Sequence, residues 1–278
     1  MTKTALVTGG SSGLGLAMAK ALRSQGYDLL LIARDRDRLI QAKGALEAIG
    51  TGKVWIYSCD ISDEDALMRT FEAICEQFQL IDLLVLNAGV ATVDLLADYK
   101  NLSDITKNVQ INLLGAMSTA YLASPLLKAG SRILFISSGF GLVGSAGYSL
   151  YAAAKGGINN FADALRREML PRKVSVHLAC PGDIDTPMLE GELKSMPDWI
   201  RQKMGRAKAM PPDRAAAYIL EKCFKGQFMI ILSGDVKLLI LIQRLLPRGV
   251  AMYLIDRILP LPPSENEFVK SQLSKSAA

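Results

Sequence analysis

Two side chains near the middle of the chain have the types and spacing to move a proton. Tyr151 and Lys155 lie four residues apart in Tyr151-Ala-Ala-Ala-Lys155, an interval that puts both on one face of a helix. A free phenol titrates near about 10. A cation beside it favours the phenolate and draws that value toward neutrality. Such a pair can give a proton to a carbonyl oxygen or take one from an alcohol. Just upstream, Ser137 and Ser138 close an apolar run, where a hydroxyl can donate a hydrogen bond to the same oxygen. The Tyr-x-x-x-Lys interval also arises by chance on helix surfaces, so it needs support from elsewhere.

That support stands at the amino end. Thr8-Gly9-Gly10-Ser11-Ser12-Gly13-Leu14-Gly15 joins an apolar run to a helical pattern. Gly9 permits a tight turn, Gly13 lets the backbone approach a pyrophosphate, and Gly15 lets helix and strand pack closely. The helix N-terminus then meets the phosphate charge. Glycine turns also merely end strands; the strand–turn–helix setting is what points to a dinucleotide. The end of the second apolar run reports which one. An acidic residue there would hold a ribose 2′-hydroxyl, whereas arginine can pair a 2′-phosphate bidentately. The run ends at Ala33, with Arg34 next and Arg36 and Arg38 close by, while Asp35 and Asp37 are expected to face solvent. The expected cofactor is NADP(H).

These residues need a frame. Apolar strand candidates at 4–8, 29–33, 54–58, 83–86, 132–137, 174–179 and 228–232 alternate with helical patterns. The helices are expected at 14–24, 38–49, 64–77, 105–127, 151–170 and 213–222. Continuous apolar strands alternating with helices predict a parallel sheet covered on both faces, and right-handed crossovers make it doubly wound. The expected fold is therefore α/β, a single Rossmann-type domain over residues 1–235 with a seven-stranded parallel sheet. Residues 186–212 are too long for an ordinary connection and read as a substrate lid. Beyond it, 236–263 form an apolar, basic helical extension and 264–278 a loose polar tail.

The spacing TGxxxGxG at Thr8–Gly15 resembles the short-chain dehydrogenase/reductase family, and further blocks follow in the family's order. Asn87-Ala88-Gly89 follows the fourth strand, Asn112 lies within a long helix, and Ser138 stands 13 residues before Tyr151. YxxxK ends at Lys155, and Pro181-Gly182 follows the sixth strand. Leu86 departs from the family, which usually has a second asparagine there. The resemblance implies an oxidoreductase in which Tyr151 is the general acid/base and Lys155 lowers its pKa while holding the nicotinamide ribose. It implies that Ser138, rather than Ser137, polarises the carbonyl, and that Asn112 orders a water that extends a proton relay. Asp60 and Ile61 would meet the adenine, Asn87, Ala88 and Gly89 would line the dinucleotide, and Ile184 and Thr186 would meet the carboxamide. The family further implies a homodimer or homotetramer through the helices carrying Asn112 and Tyr151.

Substrate class is read from composition and from the end of the chain. The 278 residues are 50% hydrophobic and 21% charged, which excludes a disordered protein. Mean hydropathy is +0.23, yet no apolar stretch reaches the length of a membrane span. The start is too short in apolar residues for a signal peptide. Four dispersed cysteines and one histidine argue for reduced thiols without a metal site, and His177 in an apolar strand reads as structural. Residues 1–193 hold 18 basic against 20 acidic side chains, whereas 194–257 hold 12 against 5.

The lid carries Met188, Leu189, Leu193, Met196, Trp199, Ile200, Met204 and Met210, either an adaptable pocket wall or plain packing. Phe140 and Leu142 would add to that wall, and no extra carboxylate is expected near it. A lipophilic ketone fits better than a sugar or acidic metabolite. Within the family, the blocks at 146–149, 185–187 and 225–228 are similar to those of 3-ketodihydrosphingosine reductases, as is the lipophilic tail. The alternatives are a broad hydroxysteroid, retinoid-type or 3-oxoacyl carbonyl reductase, or an NADP-binding scaffold without catalysis. The basic residues among aliphatics at 236–261 suit peripheral contact with an anionic membrane face, a subunit contact, or a flap over the substrate mouth. Nucleic acid is not expected, and the expected location is the cytoplasm or its membrane surface.

Overall fold

The computed structural model describes residues 2–204 and 209–263. Strand and helix alternate through β1 (Thr4–Thr8), α1 (Gly13–Ser24), β2 (Asp28–Ala33), α2 (Arg36–Glu47), β3 (Val54–Ser58), α3 (Glu64–Gln77) and β4 (Leu83–Leu86). Then come α4 (Leu102–Val109), α5 (Gly115–Ala123), β5 (Arg132–Ile136), α6 (Ser149–Met169) and β6 (Ser175–Cys180). Two lid helices, α7 (Pro187–Ser195) and α8 (Asp198–Met204), precede α9 (Pro212–Phe224) and β7 (Met229–Ile231). The described chain closes with α10 (Gly234–Leu245) and α11 (Arg248–Ile258). The polar tail at 264–278 lies outside the described residues.

All seven strands are parallel and stand in the order β3-β2-β1-β4-β5-β6-β7. Alternate strand residues serve opposite faces, which explains why the runs are continuously apolar. Leu6, Leu30, Ile32 and Leu84 join a core beneath α3, α5 and α6, where Phe71, Ala120 and Ile158 meet them. Val7, Leu29, Leu31 and Val85 join the other core, beneath α1, α2 and α9, with Met18, Leu39 and Ile219. The chain therefore builds the doubly wound sheet that its patterning predicts. Strand order reverses between β1 and β4, and a crevice opens there beyond the carboxyl ends of the strands.

The expected single helix over 105–127 is broken. Between α4 and α5 the backbone widens into a π turn, Gln110–Leu114, of the kind that inserts one residue into a helix near functional sites. The side chain of Asn112, inside that turn, clasps the loop after β4. Its Nδ2 donates to the Val90 carbonyl at 2.7 Å and its Oδ1 accepts from the Val90 N–H at 3.0 Å.

Two buried polar side chains are structural. His177 pairs with the Gln227 carbonyl at 2.8 Å and Ser175 Oγ at 3.0 Å, and burial lowers its pKa. Arg23, buried although nothing in its helical pattern marks it, gives its guanidinium to the carbonyls of Tyr27, Leu46, Gly50 and Gly52.

Candidate active site

The crevice contains a cavity of about 450 Å³ that runs from the β1 turn to the C-terminal helices. At one end, Gly9 (φ 65°) and Gly13 (φ 52°) take left-handed conformations that side chains resist. A Cβ on Gly15 would stand 2.2 Å from the Gly9 carbonyl oxygen, so the turn closes onto α1 only with glycine there. Ser12 stands at the N-cap of α1 without capping it, and the first turn carries no acidic residue. The N–H groups of that turn are thus free of a capping side chain and aimed as an anion site requires. This end fits a pyrophosphate, held by Gly9, Ser11, Ser12, Gly13 and Leu14.

The floor is fixed by a residue missed in the sequence as a functional one. Thr8, the last residue of β1, is 1% exposed. Its Oγ1 accepts from the N–H groups of Asn87 at 3.0 Å and Ala88 at 3.1 Å and donates to the Val85 carbonyl. Asn87 Nδ2 returns a bond to the Thr8 carbonyl at 3.0 Å. Both turns of the switch point are thereby locked, with Ala88 and Gly89 facing the cavity. A threonine ending a strand against an Asn-Ala-Gly turn was the available signal.

At the ends of β2 and β3, the exposed Arg34 and the half-buried Asp60 approach each other at 3.7 Å. Asp60 also accepts from the N–H and Oγ of Ser62. Partial burial opposes its ionisation, but the Ser62 bonds and the Arg34 charge together hold the carboxyl below its usual value. Asp63, not Asp60, caps α3. Asp35 does more than face solvent, because it caps α2 and pairs with Arg38 Nε at 3.1 Å. Ile61 is buried and packs on Gly115 at the start of α5.

The reacting end gathers Ser138, Tyr151 and Lys155 in the cavity wall. Ser138 ends the β5 strand region, accepts from the Phe140 N–H at 3.2 Å, and its hydroxyl acts to lower the pKa of Tyr151. The rival serine is spent on structure, since Ser137 Oγ donates its one proton to Asn159 Oδ1 at 2.6 Å, with the Lys155 carbonyl as the alternative acceptor at 3.2 Å. Lys155 is buried, donates from Nζ to the Ile136 carbonyl at 2.9 Å and stands 5.7 Å from the centroid of the Tyr151 ring. Burial lowers its pKa to about 8.

One expectation changes here. Tyr151 is raised, not lowered: burial first, then the charge of Glu192, outweigh the Ser138 bond that pulls the other way. The phenol is therefore protonated at neutral pH, which suits a donor of protons. The Asn112 amide is taken up by Val90 and Asn108. It meets Gly89, where a Cβ would lie 2.6 Å from Asn112 Oδ1 and 3.5 Å from Lys155 Nζ. Asn112 thus positions the loop against which Lys155 rests.

The far wall belongs to the lid and the C-terminal helices. Pro181, Gly182, Ile184 and Thr186 line the cavity, with Met188, Leu189 and Met210 beyond. Ile184 bridges to Met210, closing the excursion at its base. Met196 and Ile200 instead pack in a small core with Tyr148. Phe140 and Val143 face the cavity in place of the expected Phe140 and Leu142. From the last two helices come Val236, Leu239, Ile258, Leu259 and Pro260. Gly139 makes this possible, since a Cβ there would stand 2.5 Å from Val236 Cγ2. The wall also holds carboxylates that the sequence had not placed there, Glu192 from α7 and Asp183 before it.

A dinucleotide crevice at a parallel-sheet switch point, ending on a serine–tyrosine–lysine cluster, defines a class of oxidoreductase. A sequence model of that class, described as short chain dehydrogenase, matches residues 3–196. A 3-oxoacyl-[acyl-carrier-protein] reductase of Bos taurus is 32% identical over 86% of this chain and 99% of its own. A 3-ketodihydrosphingosine reductase of Mus musculus is 31% identical over 83% of this chain and 71% of its own. Among solved structures, a short chain dehydrogenase from Burkholderia cenocepacia in complex with NADP is 28% identical, with TM-score 0.72 over 84% of this chain and 98% of its own. One from Burkholderia phymatum in complex with NAD shares the fold at 21% identity, with TM-score 0.78 over 95% and 98%. The chain belongs to the short-chain dehydrogenase family and is an oxidoreductase.

Arg34 carries the cofactor expectation. A hydrogen bond to a charged group is worth about 1.5 kcal/mol or more, roughly tenfold in binding. Arg34→Gln is expected to raise the KM for NADPH by about that factor while moving the KM for NADH far less. Equal changes for both, measured by steady-state kinetics, would remove Arg34 from phosphate recognition.

Proposed function

We propose that the protein reduces a lipophilic ketone to a secondary alcohol with NADPH, and that the ketone is 3-ketodihydrosphingosine. The observation that carries this reading is the cavity wall contributed by α10 and α11. Past Ser138 and Tyr151 the substrate space is bounded by Val236, Leu239, Ile258 and Leu259, and the hairpin is anchored through Leu239, Ile255 and Val143. An aliphatic wall beside the reacting serine and tyrosine favours an alkyl chain, because apolar burial is worth about 25 cal/mol per Å². Of the roles open to this extension, a flap over the substrate is the one its packing supports.

When bound, NADPH supplies a hydride to the carbonyl carbon. The chain's own residues do the rest. Ser138 holds the carbonyl oxygen, the protonated Tyr151 hydroxyl gives it a proton, and the Lys155 ammonium keeps a positive charge beside the phenol as it ionises. The glycine turn and the Asn87-Ala88-Gly89 loop orient the dinucleotide from below. A 3-oxoacyl thioester is the second reading, favoured by the bovine relative whose length this chain matches almost in full.

NADPH consumption with 3-ketodihydrosphingosine in mixed micelles, beside a 3-oxoacyl thioester and a steroid ketone, separates the readings. Turnover is expected on the sphingoid ketone far above the other two, and Tyr151→Phe should lower it by about 10²–10⁴-fold. Preference for the thioester would select the second reading.

The outer side of the same hairpin supports a location. No described helix is long and apolar enough to cross a membrane. Yet Leu238, Leu241, Leu245, Val250 and Tyr253 are each about half exposed or more, with Arg244 and Arg248 exposed among them. This face suits the boundary of an anionic leaflet, from which a lipid ketone could enter the cleft. Wild-type protein should float with phosphatidylserine vesicles, and the double variant Leu241→Glu, Leu245→Glu should not. A wild type that stays below the vesicle layer would contradict the location.

A further inference from the structure

The cavity wall holds a hydroxyl that neither the fold nor the proton transfer uses. Ser233 follows β7 and stands at the N-cap of α10 in an extended conformation, yet its side chain makes no capping hydrogen bond. Among the described residues, its Oγ and the Tyr57 hydroxyl are the two buried side-chain polar atoms without a hydrogen-bond partner. A buried hydroxyl in that state costs stability, which a ligand can return by bonding to it. Ser233 lines the same cavity as Ser138, Tyr151 and Lys155.

The loop after β6 indicates which ligand that is. At one end Thr186 lies against the phosphate turn, where a Cβ on Gly13 would stand 3.2 Å from Thr186 Cγ2. At the other, the Pro181 carbonyl accepts from the N–H of Gly139, the residue after Ser138, at 2.8 Å. Residues 181–186 thus span the interval between the pyrophosphate end of the crevice and its reacting serine. The ring that carries the hydride has to occupy that interval, and its carboxamide needs polar partners there. Thr186 Oγ1 already donates to the Ile184 carbonyl at 3.3 Å. Ser233 backs the same loop at Gly182, where a Cβ would stand 3.0 Å from Ser233 Oγ and 3.3 Å from Ser233 Cβ. Beyond Asp235, α10 gives the wall only the aliphatic Val236 and Leu239.

We propose that Ser233 is a binding residue for the carboxamide of the nicotinamide ring, its hydroxyl taking from the cofactor the hydrogen bond that the free chain denies it. The proposal rests on the dinucleotide crevice. It holds whichever ketone is reduced, and whether or not the ribose carries a 2′-phosphate. It gives the hydroxyl a cost in the free protein and a return in the complex, two effects of opposite sign. Because Ser233 opens α10, the same bond registers the substrate wall against the cofactor.

The test is isothermal titration calorimetry of the full chain, wild type and Ser233→Ala, with NADP⁺ and with 2′-phospho-ADP-ribose, which lacks the nicotinamide. NAD⁺ and ADP-ribose form a parallel pair. Ser233→Ala should weaken the nicotinamide-bearing ligand by about three- to tenfold, the worth of one hydrogen bond, and leave its truncated partner within about twofold. The Tm of the free variant should be unchanged or higher, since the substitution removes an unpaired buried hydroxyl. Equal weakening of both members of a pair, or of neither, overturns the proposal. So does a lower Tm of the free variant, which would make the hydroxyl a structural group satisfied without cofactor. A wild type that binds only the NAD⁺ pair would sink the NADPH reading, and the same comparison within that pair then decides for or against Ser233. A wild type that binds neither pair overturns both.

Discussion

The hydrogen-bond clasp between Thr8 and Asn87 is the constraint on which the site depends. β1 and β4 are neighbours in the sheet, but their chains continue in opposite directions, and the crevice between them would be ill defined without a tie. One buried hydroxyl accepts from two successive N–H groups, and the Asn87 amide returns a bond across the gap. Asn87 Nδ2 also lies 2.5 Å from where a Cβ on Gly15 would stand. The clasp therefore sets strand, phosphate turn and first helix at once. Gly89, carried by the same loop, then fixes how closely Asn112 and Lys155 approach.

From that floor the reacting groups follow by simple register. β5 delivers Ser138, α6 delivers Tyr151 and Lys155 on one face, and the π turn before α5 brings Asn112 down onto Val90. The electrostatics run opposite to a phenol activated by its lysine alone. Burial and a nearby carboxylate keep Tyr151 protonated, and burial brings Lys155 to about 8.

Much of this was legible in the sequence because it rests on local rules. Continuous apolar runs gave β1 and β4 to the residue, since a strand buried on both faces has no polar interruption to blur its ends, and the same holds for the half-buried edge strand β3, whose run is also apolar. Ser138, Tyr151, Lys155, the glycine turn and Asn87-Ala88-Gly89 lie together as their order implied. What was missed depends on contacts between distant segments. The π turn comes from Asn112 reaching Val90, 22 residues away, which no helical periodicity encodes. Thr8 looks like an ordinary strand end until Asn87 is placed against it. Glu192 sits on an exposed-looking amphipathic lid helix, and only the return of the lid over Tyr148 turns it into the cleft. The two C-terminal helices were visible as lipophilic, but their role as a wall needed Gly139 beside Val236.

The account's central claim is that this cleft passes a hydride from NADPH to a lipophilic ketone. The most direct measurement uses NADPH carrying deuterium at the transferable position, with 3-ketodihydrosphingosine, and mass spectrometry of the product. The account predicts a single deuterium on the new carbinol carbon, with labelled product formed about 10²–10⁴-fold more slowly when Phe replaces Tyr151. Dihydrosphingosine formed without the label, or no reduced product while NADPH is bound, would contradict it.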